Sequence, residues 1–285
     1  MTTIDPTTTT TTATAAATPA PTITPATTIN RTKARLREGG LVLGMGLRQA
    51  RTVDIATIAG TCGFDWLFID TEHNSMSIDT ASQIAMAAVA TGVTPLVRVP
   101  GHQHYHCARA LDNGALGVVV PHVDNAEQAR AVVDACRYPP MGHRSIAGNM
   151  PGLGFASLPI AEATARINDE TLVVVMLETP QAIANADAIA AVNGIDVLLV
   201  GTNDLCAEMG IHGQFDHPRV PEAYRQVLAA CARHGKHPGM GGVYDPKLMA
   251  QYIALGMRFI LSGNDLAFMM AAARERSTML RSIAL

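Results

Sequence analysis

Two carboxylates follow consecutive apolar runs in the second half of the chain. Glu178 ends the run "VVVMLETP" and Asp204 ends the run "LLVGTNDL", one strand–helix unit further on. If both runs are strands of one parallel sheet, the carboxylates meet at one edge, where they repel unless one is protonated or a cation lies between them. Mg2+ and Mn2+ commonly take two carboxylates together with water and substrate oxygens. The pair predicts a divalent-metal site, although each residue could instead cap the helix after it.

A second set of ionisable residues stands in the stretch "GFDWLFIDTEHNSMS". Asp70, Glu72 and His73 come directly after its apolar run, and His73 beside two acids suits a general base. Arg98 ends the run "LVRVPG", where its guanidinium would polarise a carbonyl or bind a carboxylate. A structural ion pair of Arg98 with Asp70 or Glu72, and a solvated His73, are the alternatives.

The histidine-rich segment "GHQHYHC" invites a zinc interpretation. His102 and His106 are four residues apart and share a helix face, with His104 between them. No third ligand stands at matching spacing, so we expect these histidines to serve acceptor binding or a subunit contact.

Lysine is scarce. The three lysines, Lys33, Lys236 and Lys247, all stand outside the interior of the predicted strands, where a Schiff-base lysine would be activated. Carbonyl chemistry would therefore be metal-assisted. The sequence also lacks a Walker loop, a dinucleotide fingerprint and a Gly-x-Ser-x-Gly elbow.

The elements that carry these residues alternate regularly. Most of the runs are continuously apolar, as in strands covered on both faces of a parallel sheet. Eight strand–helix units over roughly 245 residues predict an α/β fold, a (β/α)8 TIM barrel whose chemistry lies at the carboxyl ends of the strands. An open doubly wound sheet is the rival, but eight units in series favour closure. The predicted strands are 41–47, 65–71, 94–99, 117–122, 171–179, 196–202, 237–243 and 258–263.

The segments between the strands have the start and end signals of helices. A longer stretch, "YPPMGHRSIAGNMPGLGFAS" (138–157), precedes the fifth strand, and its glycines and prolines predict an active-site loop. The predicted helices are 78–92, 125–137, 179–194, 220–235 and 246–256.

Composition narrows the classes of partner. The chain has 285 residues, of which 48% are hydrophobic, and a formal net charge of −3. This balance gives no electrostatic reason to expect nucleic acid or a membrane surface as partner. The apolar runs are also shorter than the ~20 residues of a membrane helix. Five scattered cysteines without a Cys-x-x-Cys pair predict free thiols in the reducing cytoplasm.

Residues 1–30 differ from the rest of the chain. They are mostly Thr, Ala and Pro, and cannot bury enough apolar surface to offset chain entropy. They lack the basic start of a secretory signal, and no arginine precedes Arg31 as in a mitochondrial transit peptide. We expect a disordered leader over 1–30 and a single catalytic barrel over 31–285.

Five motifs together resemble a known family. They are "GFDWLFIDTEHNSMS", "LVRVPG", "ALDNGALGVVVPHVDNAEQARAVVDACRYPPMGHRS", "LETPQAIANADAIAAVNGIDVLLVGTNDL" and "GMRFILSGND". In order and spacing they resemble the HpcH/HpaI metal-dependent aldolases of the phosphoenolpyruvate/pyruvate barrel superfamily. The resemblance runs from about residue 40 to residue 275 and implies a homohexamer, a trimer of dimers, with active sites near subunit interfaces.

The resemblance implies roles for the residues identified above. Glu178 and Asp204 would bind Mg2+, Mn2+ or Co2+, which the keto acid chelates as well. Arg98 would polarise the keto oxygen of pyruvate, and His73 would be the catalytic histidine, supported by Asp112.

Further positions follow from the same resemblance. Asp70 would be a second acid of the site that serves proton transfer, and Glu72 a neighbouring structural or interface acid. The pyruvate carboxylate would be held by backbone amides of the segment Gly201, Thr202, Asn203 and Asp204.

The implied activity is a reversible aldol reaction. A 4-hydroxy-2-oxo acid is cleaved to pyruvate, or a close 2-oxo acid, and an aldehyde through an enolate that the cation and Arg98 stabilise. Met176 stands where the family often has glutamine, and the first strand lacks the family's tryptophan, so the acceptor stays open. The rivals are an oxaloacetate decarboxylase, a citrate-lyase-like acyl-CoA lyase, and a non-catalytic barrel that binds a keto acid.

Overall fold

The computed structural model describes residues 29–148 and 150–284, so the predicted leader, except for its last two residues, lies outside the described residues. Eight parallel strands form a closed barrel in which each strand pairs with the next and β8 pairs with β1. The predicted TIM barrel is thereby confirmed. The strands are β1 (Val42–Leu47), β2 (Trp66–Asp70), β3 (Thr94–Arg98), β4 (Gly117–Val120), β5 (Leu172–Leu177), β6 (Val197–Gly201), β7 (His237–Gly241) and β8 (Phe259–Asn264).

Helices surround this barrel in the order expected of repeated strand–helix units. Two of them, for example, begin with a side-chain cap: Ser77 accepts a hydrogen bond from the Thr80 backbone at 3.1 Å, and Asn125 accepts one from the Gln128 backbone at 2.9 Å. The helices are α1 (Arg31–Arg37), α2 (Ile55–Thr61), α3 (Ile78–Thr91), α4 (His104–Asp112), α5 (Ala126–Cys136), α6 (Ile160–Glu170), α7 (Pro180–Ala184), α8 (Ala186–Ala190), α9 (Thr202–Glu208), α10 (Arg219–His234), α11 (Pro246–Leu255) and α12 (Asp265–Arg281).

One predicted helix is divided in the structure. The segment 179–194 forms the two short helices α7 and α8, which meet at Asn185. The side chain of Asn185 donates a hydrogen bond to the backbone carbonyl of Asp124 at 2.7 Å. This bond to the β4–α5 connection accompanies the break between the two helices.

The barrel interior is filled by apolar side chains. Trp66 is fully buried there and stacks on Phe259, with ring centroids 4.1 Å apart. A Cβ atom at Gly44 of β1 would lie 2.1 Å from the indole ring, so only glycine fits at this position. The indole of Trp66 thus fills the space beside β1, which carries no aromatic residue.

The helix α1 closes the amino-terminal end of the barrel. Leu36 packs into the interior cluster, and buried Asn30 caps the helix by accepting a hydrogen bond from the Lys33 backbone at 2.9 Å. The backbone N–H of Asn30 also donates to Glu170 at 2.8 Å. Asn30, which the sequence analysis assigns to the leader, is therefore part of the packed barrel.

The described part of the segment 138–157, residues 138–148 and 150–157, lies at the amino-terminal end of the barrel. It joins the end of α5 to the start of α6, and Tyr138 donates its backbone N–H to Asn168 at 2.8 Å. Its residues Met150 and Leu153 pack against Ile29. Because helix-to-strand connections lie opposite the catalytic face of such a barrel, the prediction of an active-site loop is wrong within one chain.

The last helix, α12, is unlike the others because none of its residues is buried. Its apolar side chains reach 41% to 59% exposure at Phe268, Met269, Met270, Met279 and Leu280. No helix within 29–148 and 150–284 is both long and apolar enough to cross a membrane.

Candidate active site

A cavity of about 250 Å³ opens at the carboxyl ends of the strands. Its wall is formed by residues of β1, β2, β3, β5, β6, β7 and β8, by the loops after β1, β2 and β7, and by the start of α9. It brings together seven of the predicted site residues, namely Asp70, His73, Arg98, Gly201, Thr202, Asn203 and Asp204.

Arg98 is buried in this wall and pairs with both acids of the β2 end. Its Nε and Nη2 atoms donate to the two carboxylate oxygens of Asp70 at 3.0 and 2.6 Å, and Nη1 lies 2.9 Å from Glu72 Oε2. Its guanidinium carbon also lies 4.9 Å from the ring centroid of Phe68. Asp70 takes two of the five guanidinium N–H donors, which leaves others for Glu72 and for a ligand in the cavity. Arg98 thus forms the structural ion pair with Asp70 and Glu72 that was the alternative to a binding role, and it also lines the cavity.

Asp70 is held ionised by its partners. Burial raises its pKa, but the hydrogen bonds and charge of Arg98, with two backbone N–H groups, outweigh burial and bring the pKa below its usual range. These N–H groups belong to Glu72 and His73, at 3.0 and 3.2 Å from Oδ1. Asp70 therefore positions Arg98 and the turn that carries His73, and its role in proton transfer stays a prediction.

Glu178 lies just below the cavity, directly after β5. It is 2% exposed, and its Oε2 atom accepts the backbone N–H of His122 at 2.9 Å. A Cβ atom at Gly201 would lie 2.7 Å from Glu178 Oε1. The absence of a side chain at Gly201 thus lets the carboxylate lie against the end of β6, close to the start of α9, where Asp204 is exposed to the cavity.

The electrostatics at Glu178 favour an added cation. Burial raises the pKa of its carboxyl to about 7; the negative charges of Asp204 and Glu72 act in the same direction, and His122 acts against them. Hard oxygen ligands of this kind suit Mg2+ or Mn2+. Within the described residues no three His, Cys, Asp or Glu side chains group in a metal-binding arrangement. Two carboxylates would leave most positions around such a cation to water and substrate.

His73 and His122 flank Glu72 at the mouth. The His73 side chain is 51% exposed, lines the cavity, and has its Nε2 atom 3.8 Å from Glu72 Oε2. His122 Nε2 is 3.8 Å from Glu72 Oε1, and His122 Nδ1 is 3.3 Å from Glu178 Oε2. His122 adopts a positive φ of 54°, which turns it toward these acids. The sequence analysis missed His122, although His122 ends the predicted strand 117–122 and a position at a strand end was the signal that identified His73.

The segment after β6 offers its backbone to the cavity. The Thr202 hydroxyl lies 2.6 Å from the Tyr224 hydroxyl of α10, so its side chain is engaged outside the barrel. The Asn203 amide lies against Gly242, where a Cβ atom would be 2.9 Å from Nδ2. Thr202 and Asn203 both line the cavity. Because the Thr202 hydroxyl is bonded to Tyr224, Thr202 offers only its backbone to a ligand.

Asp112 is the predicted site residue that lies elsewhere. It ends α4, at the amino-terminal end of the barrel, and its Oδ1 atom pairs with Arg144 Nη2 at 2.6 Å. His73 stands on the β2–α3 loop at the other end. Within one chain the structure does not bring Asp112 and His73 together.

The histidine-rich segment begins α4 at the rim. His102 Nε2 lies 2.6 Å from the Pro121 carbonyl oxygen, which ties the β3–α4 loop to the end of β4. The rings of Tyr105 and His106 lie 4.3 Å apart, and Tyr105 is exposed. These residues do not line the catalytic cavity.

Two polar residues of the cavity wall were missed by the sequence analysis. Arg48 follows β1, and Tyr244 lies on the β7–α11 connection. Burial raises the pKa of Tyr244, while the positive charges of Arg48 and Arg98 act against this effect. The side chains of Arg48 and Arg98 are therefore close enough to Tyr244 for their positive charges to affect its ionisation.

A larger cavity of about 980 Å³ lies at the amino-terminal end. The charged side chains at its centre form salt bridges with one another: Asp196 pairs with Lys33 at 2.9 Å and with Arg137 at 2.6 Å. Arg137 also donates to the carbonyls of Thr171 and Gly194, which stand just before β5 and β6. These contacts hold the end of the barrel closed, so the candidate active site is the smaller cavity.

Comparison with known proteins identifies the relatives of this chain. The model of the HpcH/HpaI aldolase/citrate lyase family matches residues 48–272. The 4-hydroxy-4-methyl-2-oxoglutarate aldolase tasA of Hapsidospora irregularis is 42% identical over 87% of this chain and 93% of its own length. The 4-hydroxy-2-oxovalerate aldolase of Novosphingobium aromaticivorans is 37% identical over 84% and 90%.

A solved structure is also similar. The HpcH/HpaI aldolase from Desulfitobacterium hafniense DCB-2 superimposes with a TM-score of 0.84 and 30% identity, over 88% of this chain and 97% of that chain.

Proposed function

The chain belongs to the HpcH/HpaI aldolase/citrate lyase family, and from this membership we propose that it is a divalent-metal-dependent aldolase, a carbon–carbon lyase. It reversibly cleaves a 4-hydroxy-2-oxo acid to pyruvate, or a close 2-oxo acid, and an aldehyde. The observation that carries the proposal is one cavity that collects His73, Arg98 and Asp204 beside the buried carboxylate of Glu178. Two relatives named for 4-hydroxy-4-methyl-2-oxoglutarate and 4-hydroxy-2-oxovalerate support this substrate class.

Glu178 and Asp204 would hold the cation, which is Mg2+, Mn2+ or Co2+ in our proposal. The raised pKa of Glu178 beside Asp204 supports this assignment, because a cation relieves the cost of two neighbouring charges. When bound, the cation supplies positive charge to the keto acid at the moment its neighbouring carbon becomes an enolate.

The remaining steps use side chains of this cavity. Arg98 donates a free N–H to the keto oxygen, and backbone N–H groups from Gly201 to Asp204 receive the pyruvate carboxylate. His73 takes the proton of the C4 hydroxyl, the C3–C4 bond breaks, and its electron pair passes into the enolate. A proton added at C3 completes pyruvate, while C4 leaves as the carbonyl carbon of the acceptor.

Assembly would complete this site. We assign the support of His73 to Asp112 of a neighbouring subunit, since one chain keeps the two residues at opposite ends of its barrel. The exposed apolar face of α12 supports association of copies, and a homohexamer is the expected form. The cytoplasm is the proposed location, in agreement with five free cysteines.

Exchange of the pyruvate methyl protons with deuterium tests the function. The experiment follows the methyl signal by NMR with Mg2+ or Mn2+, and then with excess chelator. We expect exchange that requires the metal, because exchange reports the enolate without any acceptor. Turnover of oxaloacetate or acyl-CoA thioesters without metal-dependent exchange of pyruvate would contradict the proposal.

A further inference from the structure

The guanidinium of Arg48 faces the catalytic cavity without a strong partner. It lines the cavity, and its side chain is 37% exposed. Its Nη1 atom is 3.6 Å from Asp70 Oδ2, beyond hydrogen-bond distance. Asp70 is already occupied, because both of its oxygens accept hydrogen bonds from Arg98. A salt bridge with Asp70 therefore does not explain why Arg48 points into this cavity in addition to Arg98.

The backbone that carries Arg48 is held in place from two sides. The carboxylate of Asp265, at the start of α12, accepts the backbone N–H groups of Arg48, Gln49 and Ala50 at 2.7, 2.9 and 2.6 Å. The guanidinium of Arg51 donates to the carbonyls of Arg48 and Ala50 at 3.1 and 3.0 Å. A loop fixed in this way presents its side chain at a defined place, as a binding residue requires.

Arg48 also stands on the side of the mouth away from the proposed metal ligands. It follows β1, which lies between β8 and β2 in the closed barrel. Glu178 follows β5, which is the strand opposite β1 in this order. A substrate whose 2-oxo acid end is held near Glu178 and Asp204 can therefore reach Arg48 by extending its other end across the mouth.

We propose that Arg48 binds a second carboxylate on the acceptor half of the substrate. The substrates are then 4-hydroxy-2-oxo dicarboxylic acids, and the acceptor is itself a 2-oxo acid. This inference rests on the proposed aldolase function and adds its substrate class. A guanidinium suits the task because its planar N–H groups match a carboxylate.

The reaction keeps its balance with such a substrate. The C4 hydroxyl proton goes to His73, and the C3–C4 bond breaks. The electron pair of that bond enters the enolate, which takes one proton at C3 to become pyruvate. C4 becomes the oxo carbon of the released 2-oxo acid, whose carboxylate stays paired with Arg48 until the product leaves. No oxidant or further reactant is needed.

The test compares two substrates that differ at one group. The first is 4-hydroxy-2-oxoglutarate, which has a carboxylate on C4. The second is 4,5-dihydroxy-2-oxopentanoate, which has a hydroxymethyl group there. Cleavage by the metal-loaded full-length protein is followed by NMR of the pyruvate methyl group, and kcat/KM is obtained for each substrate. Pyruvate methyl exchange in the same preparation measures the amount of working donor site, and each cleavage rate is divided by it.

Three variants complete the design. Arg48→Met removes the charge and keeps the length, and Arg48→Lys keeps the charge without the planar fork. Arg225→Met is the matched control, because Arg225 is exposed on α10 and pairs with Glu222 at 3.2 Å. We expect the wild type to prefer the dicarboxylate, and Arg48→Met to reduce that preference by about ten- to hundredfold. Arg48→Lys should retain part of the preference, and the control all of it.

The outcomes separate the two proposals. Metal-dependent exchange with no preference for the dicarboxylate, or with a preference that survives Arg48→Met, overturns the role of Arg48 and leaves the aldolase function standing. Absence of metal-dependent exchange in the wild type overturns the aldolase function and this inference with it. An equal loss of kcat/KM for both substrates in Arg48→Met would show that Arg48 only maintains the structure of the cavity. This result would contradict its role in binding the second carboxylate.

Discussion

Asp70 and Glu178 are both buried acids at strand ends, yet their surroundings move their pKa values in opposite directions. Asp70 has the guanidinium of Arg98 on both oxygens, so its pKa lies below the usual range. Glu178 has buried surroundings and two further acids nearby, and its pKa rises to about 7. One acid is supplied with a counter-charge by the protein, and we propose that the other receives one from the bound cation.

The first prediction concerns this missing counter-charge. Glu178→Gln should abolish the rise in Tm that Mn2+ gives the wild type and reduce metal-dependent pyruvate exchange by at least about a hundredfold, because a neutral amide replaces a charged ligand. Thermal scans with and without Mn2+ and NMR exchange measure both effects. Glu222→Gln on exposed α10 is the control and should behave as wild type. A Glu178→Gln protein that Mn2+ still stabilises would exclude Glu178 as a ligand.

The second prediction concerns Arg98. Arg98→Ala should lower pyruvate exchange by about two to three orders of magnitude, because an oriented donor to the keto oxygen is lost. It should also reduce the free energy of unfolding by roughly 3–5 kcal/mol, because Asp70 and Glu72 lose their buried partner. Urea unfolding measures the second effect. The double variant Arg98→Met with Asp70→Asn should recover stability but not exchange, and recovery of both would contradict the assignment.

At the scale of elements, the strands could be predicted because most of them are short continuous apolar runs. The end of such a run also locates a side chain at the catalytic face, and this rule placed Arg98 and Asp204 in the cavity. The same rule applied to β4 identifies His122, which turns into the mouth through a positive φ that no pattern of apolar residues reveals.

Other features lie outside what a linear pattern contains. The family resemblance predicted that Asp112 supports His73, but the end of the barrel at which Asp112 lies depends on where α4 finishes. The glycines and prolines of 138–157 marked a long connection without indicating its side of the barrel. Arg48 directly follows a predicted strand, but the contacts that fix its backbone could not be predicted, because they come from Asp265, more than two hundred residues away in the sequence.

The third prediction concerns the contact between α1 and the end of the barrel. Asp196→Asn should reduce the free energy of unfolding at pH 7 by roughly 3–5 kcal/mol, because the buried cations Lys33 and Arg137 would lose their shared anionic partner and keep only hydrogen bonds to backbone carbonyls. Urea unfolding provides the measurement. Asp134→Asn, an exposed pair with His143, is the control and should leave the free energy unchanged.

The pH dependence of this cluster has a defined sign. Burial raises the pKa of Asp196, but Arg137 and Lys33 outweigh burial and bring it below its ordinary value. Its stabilising contribution is therefore complete above about pH 3.9 and is lost as the pH falls through the lower pKa of the folded state. Below pH 4 the wild type should lose stability more steeply than Asp196→Asn, and parallel acid limbs would contradict the role of this cluster.

At the scale of the whole molecule, the barrel is incomplete in two respects. The helix α12 has no buried residue, and its exposed methionines and leucine would be covered by a second copy. Asp112 lies far from the His73 that it is proposed to support. Both observations are accounted for if the working unit is an assembly in which neighbours share active sites.

The fourth prediction follows from this sharing. His73→Ala and Asp112→Ala should each be nearly inactive alone, because each removes one part of every site. Co-expressed in equal amounts, they should regain about a quarter of the wild-type cleavage rate, because random assembly restores that share of intact sites. Light scattering should show hexamers in all preparations. Hexamers without recovered activity would place Asp112 outside the site.

The packing of Trp66 gives the molecule an optical property of its own. It is the only tryptophan in the sequence, it is fully buried, and its indole N–H has no hydrogen-bond partner. The tryptophan fluorescence of the protein therefore comes from a single indole in an apolar site, stacked on Phe259. Its emission should be blue-shifted and poorly quenched by acrylamide while the barrel is closed, and should move to the red when β2 and β8 separate. Every unfolding experiment described above can thus be followed by light emitted from the centre of the barrel, without a label.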